Sequence, residues 1–370
     1  MKDIRDAITA SVVGAAIGDS MGGALEFAPA NLIRKTVGKD MWVDDLIPYR
    51  MPRAPHGPWL ENAPAGIITD DTRLRVIFLE TVIKNKGRIT PRMLAQEYLE
   101  RGKHPKKYFS GFEKLAQEWL REWTRVASAF LGKSSNGIPS SAILATSWGG
   151  VPTAAGMLVT THAGLMHPGE PEDAYKLAFD LAFHDSPGYA KDACGLYAGL
   201  LAVLVSRSWT ASGIRKVIKG CVRLDPYGIG KRELVGRHTV QYINRAINLA
   251  DHARNRKHLA RELAMNIPGT HWFDPVEMLA VAIACIYYTG GYFEEAVVIA
   301  SNHHGVDRRG RHLGNRDCDT TGGFAGALAG AANGSTGIRK DWWNRVVEVN
   351  RKVHKFDLEK LGREFAETIV

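Results

Sequence analysis

Apolar positions along this chain recur with a period near 3.6 far more often than with a period of two, so the pattern predicts helices almost throughout. After Thr69-Asp70-Asp71-Thr72, the residues Leu74, Ile77, Phe78, Thr81 and Val82 share one helical face. Lys84, Lys86 and Gly87 then supply basic and glycine stop signals. Pro171-Glu172-Asp173 opens a second helix, with Tyr175, Leu177, Ala178, Leu181 and Ala182 as its apolar residues. Asp274-Pro275-Val276-Glu277 opens a third, which runs through LAVAIACIYY to Gly290-Gly291. Alternating strand patterns are scarce and no βαβ rhythm occurs. The expected fold class is all-α.

Two helices carry glycine at every fourth position: Gly14, Gly18 and Gly22 in one, Gly322, Gly326, Gly330 and Gly334 in the other. An interior glycine costs roughly 1 kcal/mol against alanine, so two such series imply backbones that approach very closely. Tight packing of central helices would carry Asp19 and Asp317, expected in loops, deep into the molecule. From Leu99 to Ser141 the chain turns polar and aromatic, which reads as a peripheral helical insertion at about 100–140. Segment 35–66, rich in Pro and Gly with Trp42, Tyr49 and Trp59, is expected to form a long loop over the site. Trp342, Trp343, Val346, Val347 and Val353 mark an amphipathic tail. The expected organisation is one domain, 1–338, and a helical appendage, 339–370.

Composition narrows the classes. With 370 residues, 45% apolar and 24% charged, the chain can bury a large core. Its apolar runs are too short to cross a bilayer, so no membrane partner is expected. The N-terminus MKDIRDAIT is charged at once and lacks an apolar signal core. The cysteines, Cys194, Cys221, Cys285 and Cys318, are widely spaced, which predicts free thiols and a cytoplasmic protein. A net charge of +9 favours anionic ligands. It is spread along the chain instead of gathered in a tail, so a solvated basic surface is expected and a nucleic-acid partner is not.

The chemistry lies in two acidic clusters, Thr69-Asp70-Asp71-Thr72 and Asp317-Cys318-Asp319-Thr320, each opening an apolar helix. Either one alone is explained by capping, since Asp and Thr satisfy unpaired amides and complement the helix dipole. The same composition twice points further. Four convergent carboxylates repel one another unless cations lie between them, and oxygen donors suit Mg²⁺, Mn²⁺ or Ca²⁺ better than zinc.

The order Gly14-x-x-x-Gly18-Asp19-x-x-Gly22, Glu26, Thr69-Asp70-Asp71-Thr72, Gly149-Gly150-Val151-Pro152, His184 and Asp317-x-Asp319-Thr320 resembles the ADP-ribosylglycohydrolase family over roughly Ile4 to Gly337. The resemblance implies an all-α orthogonal bundle with two Mg²⁺ or Mn²⁺ ions, held by Thr69, Asp70, Asp71, Asp317, Asp319 and Thr320. It further implies hydrolysis at ribose C1 of an ADP-ribosyl conjugate, with Glu26 as first candidate for the general base and Asp71 or Asp317 as second. Asp19, a phosphate-cradling loop at Gly149-Gly150 and His184 beside the diphosphate are implied on the substrate side. The chain departs from the family in two runs. SWGGVPTAAGM lacks the usual Arg, and Asn315-Arg316 precedes the last cluster, where small residues are usual. Arg316 is a candidate for an anionic substrate group, or for pairing with a ligand carboxylate. SNHHGVDRRGRH fits no standard zinc spacing and reads as a solvated rim loop.

Other readings remain in view. Asp317-Cys318-Asp319-Thr320-Thr321 matches a DxDxT phosphotransferase element, but no buried apolar strand precedes it. A terpene-synthase DDxxD fails at Leu74 and Arg75. A nucleoside or small nucleotide conjugate is a closer alternative substrate. A non-enzymatic ligand-binding or crystallin-like protein is another class, against which the retained charge cluster argues. Oligomeric state is not legible.

Overall fold

The computed structural model describes residues 2–49, 63–108, 113–133, 137–184, 188–231 and 237–370, without the side chains of 113–119. It is all-α, as expected. The only sheet among these residues is a hairpin of His304–Val306 against His312–Asn315.

At the centre, the N-terminal helix Ile4–Gly23 runs antiparallel to the helix Cys318–Asn333, and both are buried on nearly every side. The glycine series are the two halves of one seam. A Cβ built on Gly18 would stand 1.9 Å from the Gly322 carbonyl oxygen, and one on Gly22 would stand 2.1 Å from that of Cys318. The same holds at Gly14 against Gly326 and at Gly330 against Ala10. No other residue type permits this backbone approach. Gly334, with φ of 73°, is the helix stop and lies outside the seam. Because the pair is antiparallel, the end of the first helix lies beside the start of the second.

The predicted helices form as Asp70–Lys84, Pro171–Leu181 and Pro275–Thr289. Thr69 caps the first, its hydroxyl accepting from the Asp71 amide at 3.2 Å. Asp274 caps the last, accepting from the amides of Val276 and Glu277. Asp19 is a correction: it is a helical residue of Ile4–Gly23, whereas a loop was expected.

The segment read as an insertion roots in the same core. Trp123 of helix Glu113–Phe130 is fully buried against Tyr98 and His184. The tail is likewise packed in. Its helices, Lys340–Val353 and Leu358–Ile369, place Gly362 against Thr9 and Val12, and Phe365 against Phe78. Asn350, fully buried, bonds the Ile68 amide at 3.1 Å and the Gly66 carbonyl at 2.9 Å. That tail residue therefore fixes the approach to Thr69. Of the expected loop over the site, Tyr49 is buried and within electrostatic reach of Glu26, Asp319 and Asp70, while residues 50–62, with Trp59, lie outside the described residues.

Candidate metal centre

Three helix ends meet at one point: the turn after Gly23, the start of the Asp70 helix and the start of the Cys318 helix. A Cβ on Gly23 would stand 2.3 Å from Thr69 Cγ2 and 3.7 Å from Asp319 Cβ, so that glycine lets all three converge. Carboxylate oxygens of Glu26, Asp317 and Asp319 lie within 4.8 Å of one another, and so do those of Asp70, Asp71 and Asp319. Asp319 belongs to both triads. They floor a cavity of about 230 Å³ whose walls include Trp148, Thr153, Leu158 and Phe273. Glu26 and Asp70 are partly exposed toward it, whereas Asp71, Asp317 and Asp319 are buried.

Asp71, Asp319 and the chain leading into Asp317 are held in place. Thr320 donates to Asp71 Oδ2 at 2.7 Å, and its amide donates to Asp319 Oδ1 at 2.9 Å. Arg316, the residue before Asp317, is pinned through its backbone, its amide to His303 and its carbonyl from the Phe27 amide. Asp19 accepts from the amides of Thr69 and Thr72, both at 3.0 Å, and from the Thr72 hydroxyl. It is fully buried and holds the Asp70 helix in place, without lining the cavity.

Burial raises the pKa of every carboxyl in the cluster, and repulsion from its neighbours adds to this. Asp317 is pushed up to about 7. For Glu26 the neighbours are Asp319, Asp317, Asp70 and Asp71. Against them stands Arg75, 3.0 Å from Asp71 and 3.7 Å from Asp19. A buried, all-oxygen donor set with this much unbalanced charge fits hard divalent cations. Capping alone does not explain it, because Asp317 makes no side-chain cap bond.

Other expected site residues are placed elsewhere. His184 is fully buried in the turn after Leu181 among Tyr98, Trp123 and Phe183, with burial pushing its pKa down to about 3. It does not line the cavity. Gly149 and Gly150 follow Trp148 in a left-handed stretch, with φ of 51°, 69° and 79° from Trp148 on. The Trp148 amide already bonds Glu122 and the Gly149 amide bonds Thr146, so two of the loop's three amides are engaged. Arg316 pairs with Glu277 at 2.6 Å, not with a cluster carboxylate, and lies over Trp272. His304 and His312 stack face to face at 4.2 Å on the hairpin. No metal set includes them among the described residues.

Several wall residues had no periodic signal in the chain. Phe273 merely precedes a capping Asp, and Trp148 sits in a glycine-rich run. Arg75 stood in plain view but looked like an ordinary helix residue.

The ADP-ribosylglycohydrolase family model matches residues 1–369. A solved structure described as an ADP-ribosylglycohydrolase-related protein complex has the same fold, with a TM-score of 0.59 and 18% identity over 100% of both chains. No curated protein matches this chain. The chain belongs to the ADP-ribosylglycohydrolase family, a family of glycosidases.

Proposed function

We propose that this ADP-ribosylglycohydrolase-family chain hydrolyses the glycosidic bond at ribose C1 of an ADP-ribosyl conjugate, with two Mg²⁺ or Mn²⁺ ions as cofactors. The observation that carries this reading is the pair of carboxylate triads sharing Asp319 on the floor of the cavity. Glu26, Asp317 and Asp319 would hold one cation, and Asp70, Asp71 and Asp319 the other. Thr69 and Thr320, expected beside them as ligands, also order this end of the helix: the Thr69 hydroxyl accepts from the Asp71 amide and the Thr320 hydroxyl donates to Asp71 Oδ2. When bound, such cations grip vicinal hydroxyls and make a water more acidic.

The chain's own residues supply the rest. Trp148, Leu158 and Phe273 shield an oxocarbenium-like ring from bulk water. As the water oxygen attacks C1, the bond to the leaving group breaks and its electron pair departs with that group. The water's proton passes to a carboxylate. Glu26 suits this role because it lines the cavity and is partly exposed, whereas Asp71 Oδ2 already accepts from Arg75 and Thr320.

A second reading, hydrolysis of a nucleoside or small nucleotide conjugate, draws support from the cavity's size and from its walls. No Lys or Arg lines it among the described residues. The test is hydrolysis of ADP-ribosyl-arginine, ADP-ribosyl-serine and adenosine by the purified protein, with Mn²⁺, with Mg²⁺ and with EDTA. Metal-dependent release from an ADP-ribosyl substrate is expected. Turnover of adenosine alone would favour the second reading, and no turnover of any would defeat both.

A further inference from the structure

Arg75 is placed as though built into the acidic cluster. It sits one turn into the Asp70 helix and is 1% exposed. One guanidinium nitrogen is 3.0 Å from Asp71 Oδ2; the other is 3.5 Å from the Thr72 hydroxyl and 3.7 Å from Asp19. Space for the group exists only because residue 323 is glycine. A Cβ there would stand 2.4 Å from one guanidinium nitrogen and 2.7 Å from the central carbon. Phe324 packs on it at 5.7 Å. Asp19 already takes its hydrogen bonds from three donors at the start of the Asp70 helix, so at 3.7 Å Arg75 gives it charge balance without a hydrogen bond. The closest contact is with Asp71, which belongs to only one of the two triads.

Resting on the two-cation reading above, we propose that Arg75 makes the two positions unequal. The triad Glu26/Asp317/Asp319 binds its cation first and tightly, and the triad Asp70/Asp71/Asp319 holds its cation loosely enough to exchange. Two effects act in the same direction. Arg75 and Thr320 both draw on Asp71 Oδ2, which reduces the electron density that oxygen can offer. The guanidinium also repels a divalent ion across a buried, low-dielectric gap, where charges act strongly. Among the described residues no Lys or Arg lines the cavity that the other triad floors, and the charges acting most strongly on Glu26 are those of Asp319, Asp317, Asp70 and Asp71. Arg75 is thus a tuning residue for metal loading: the loosely held ion follows the free cation concentration.

Calorimetric titration with Mn²⁺, paired with electron paramagnetic resonance, tests this. The wild type should bind in two separated steps, and the first equivalent should give the hyperfine signal of an isolated ion. Arg75→Met removes the charge at similar length and should tighten the weaker step by about tenfold or more. Arg75→Lys should keep the two steps apart. Equal steps in the wild type, or an unchanged ratio in Arg75→Met, would overturn the proposal. Should Arg75→Met not fold, the wild-type background decides it. Glu26→Gln should then abolish the tight step and Asp70→Asn the weak one, and the reverse assignment overturns it. A wild type that binds no Mn²⁺ would instead defeat the two-cation reading itself, and this inference with it.

Discussion

Asp19 accepts hydrogen bonds from both the amide and the hydroxyl of Thr72, so a carboxylate of the N-terminal helix closes the first turn of the helix that carries Asp70 and Asp71. Two sequence-distant segments are thereby joined before any ion enters.

Asp19→Asn keeps the shape but turns an amide donor toward the Thr69 or Thr72 amide. Its cost should be about 2–3 kcal/mol, the scale of leaving a buried donor unsatisfied. Urea unfolding with EDTA present measures this. Metal affinity should also fall, because the Asp70 helix start loses its anchor.

Gly18→Ala should be more severe than any surface change. Its Cβ would meet a backbone carbonyl at 1.9 Å, which no rotamer can avoid. A loss of about 3 kcal/mol or more is expected, or failure to accumulate folded protein. An unfolding midpoint equal to that of the wild type would show that the seam is looser than described.

Because Asp319 belongs to both triads, Asp319→Asn should weaken both cation-binding steps. The loss should exceed the roughly 10–100-fold typical of groups that merely support a ligand. Glu26→Gln should lose turnover and one binding step together, since Glu26 stands among the ligand atoms. Turnover lost with metal binding intact would make Glu26 a base only. Full activity would remove it from both roles.

The metal-free protein should lose stability as pH rises from about 5 to about 7.5. Folded Asp317 keeps its proton up to about 7, while the unfolded carboxyl releases it near 3.8. The folded state therefore binds more protons across that window, and its advantage disappears as pH climbs through the folded value. Millimolar Mn²⁺ should reverse the trend at the upper end, because the ligands must be deprotonated to bind. Calorimetric melting with and without EDTA reads both effects.

The elements that follow local rules were legible in the chain. Helix starts at Thr69, Pro171 and Asp274 depend on capping and periodicity within a few residues, and they fall where the sequence places them. The glycine seam was readable too, because a repeated penalty inside a helix needs a compensating close approach. The two acidic clusters announced a shared site by composition alone.

What the chain could not state is which partners those residues meet. Asp19 looked like a substrate residue from its motif, yet the antiparallel seam turns it inward onto Thr69 and Thr72. Arg316 looked free to bind an anion until Glu277, brought from the helix Pro275–Thr289, occupied it. The C-terminal segment read as an appendage by its amphipathic pattern, but Asn350 fixes the loop before the Asp70 helix. In each case the deciding contact is with a segment far away in the chain. By itself the sequence determined the helices, their tight seam and the kind of chemistry. Only the tertiary structure decided which carboxylates converge on the cavity and which, like Asp19, bond the backbone behind it, because convergence depends on long-range packing that no local window encodes.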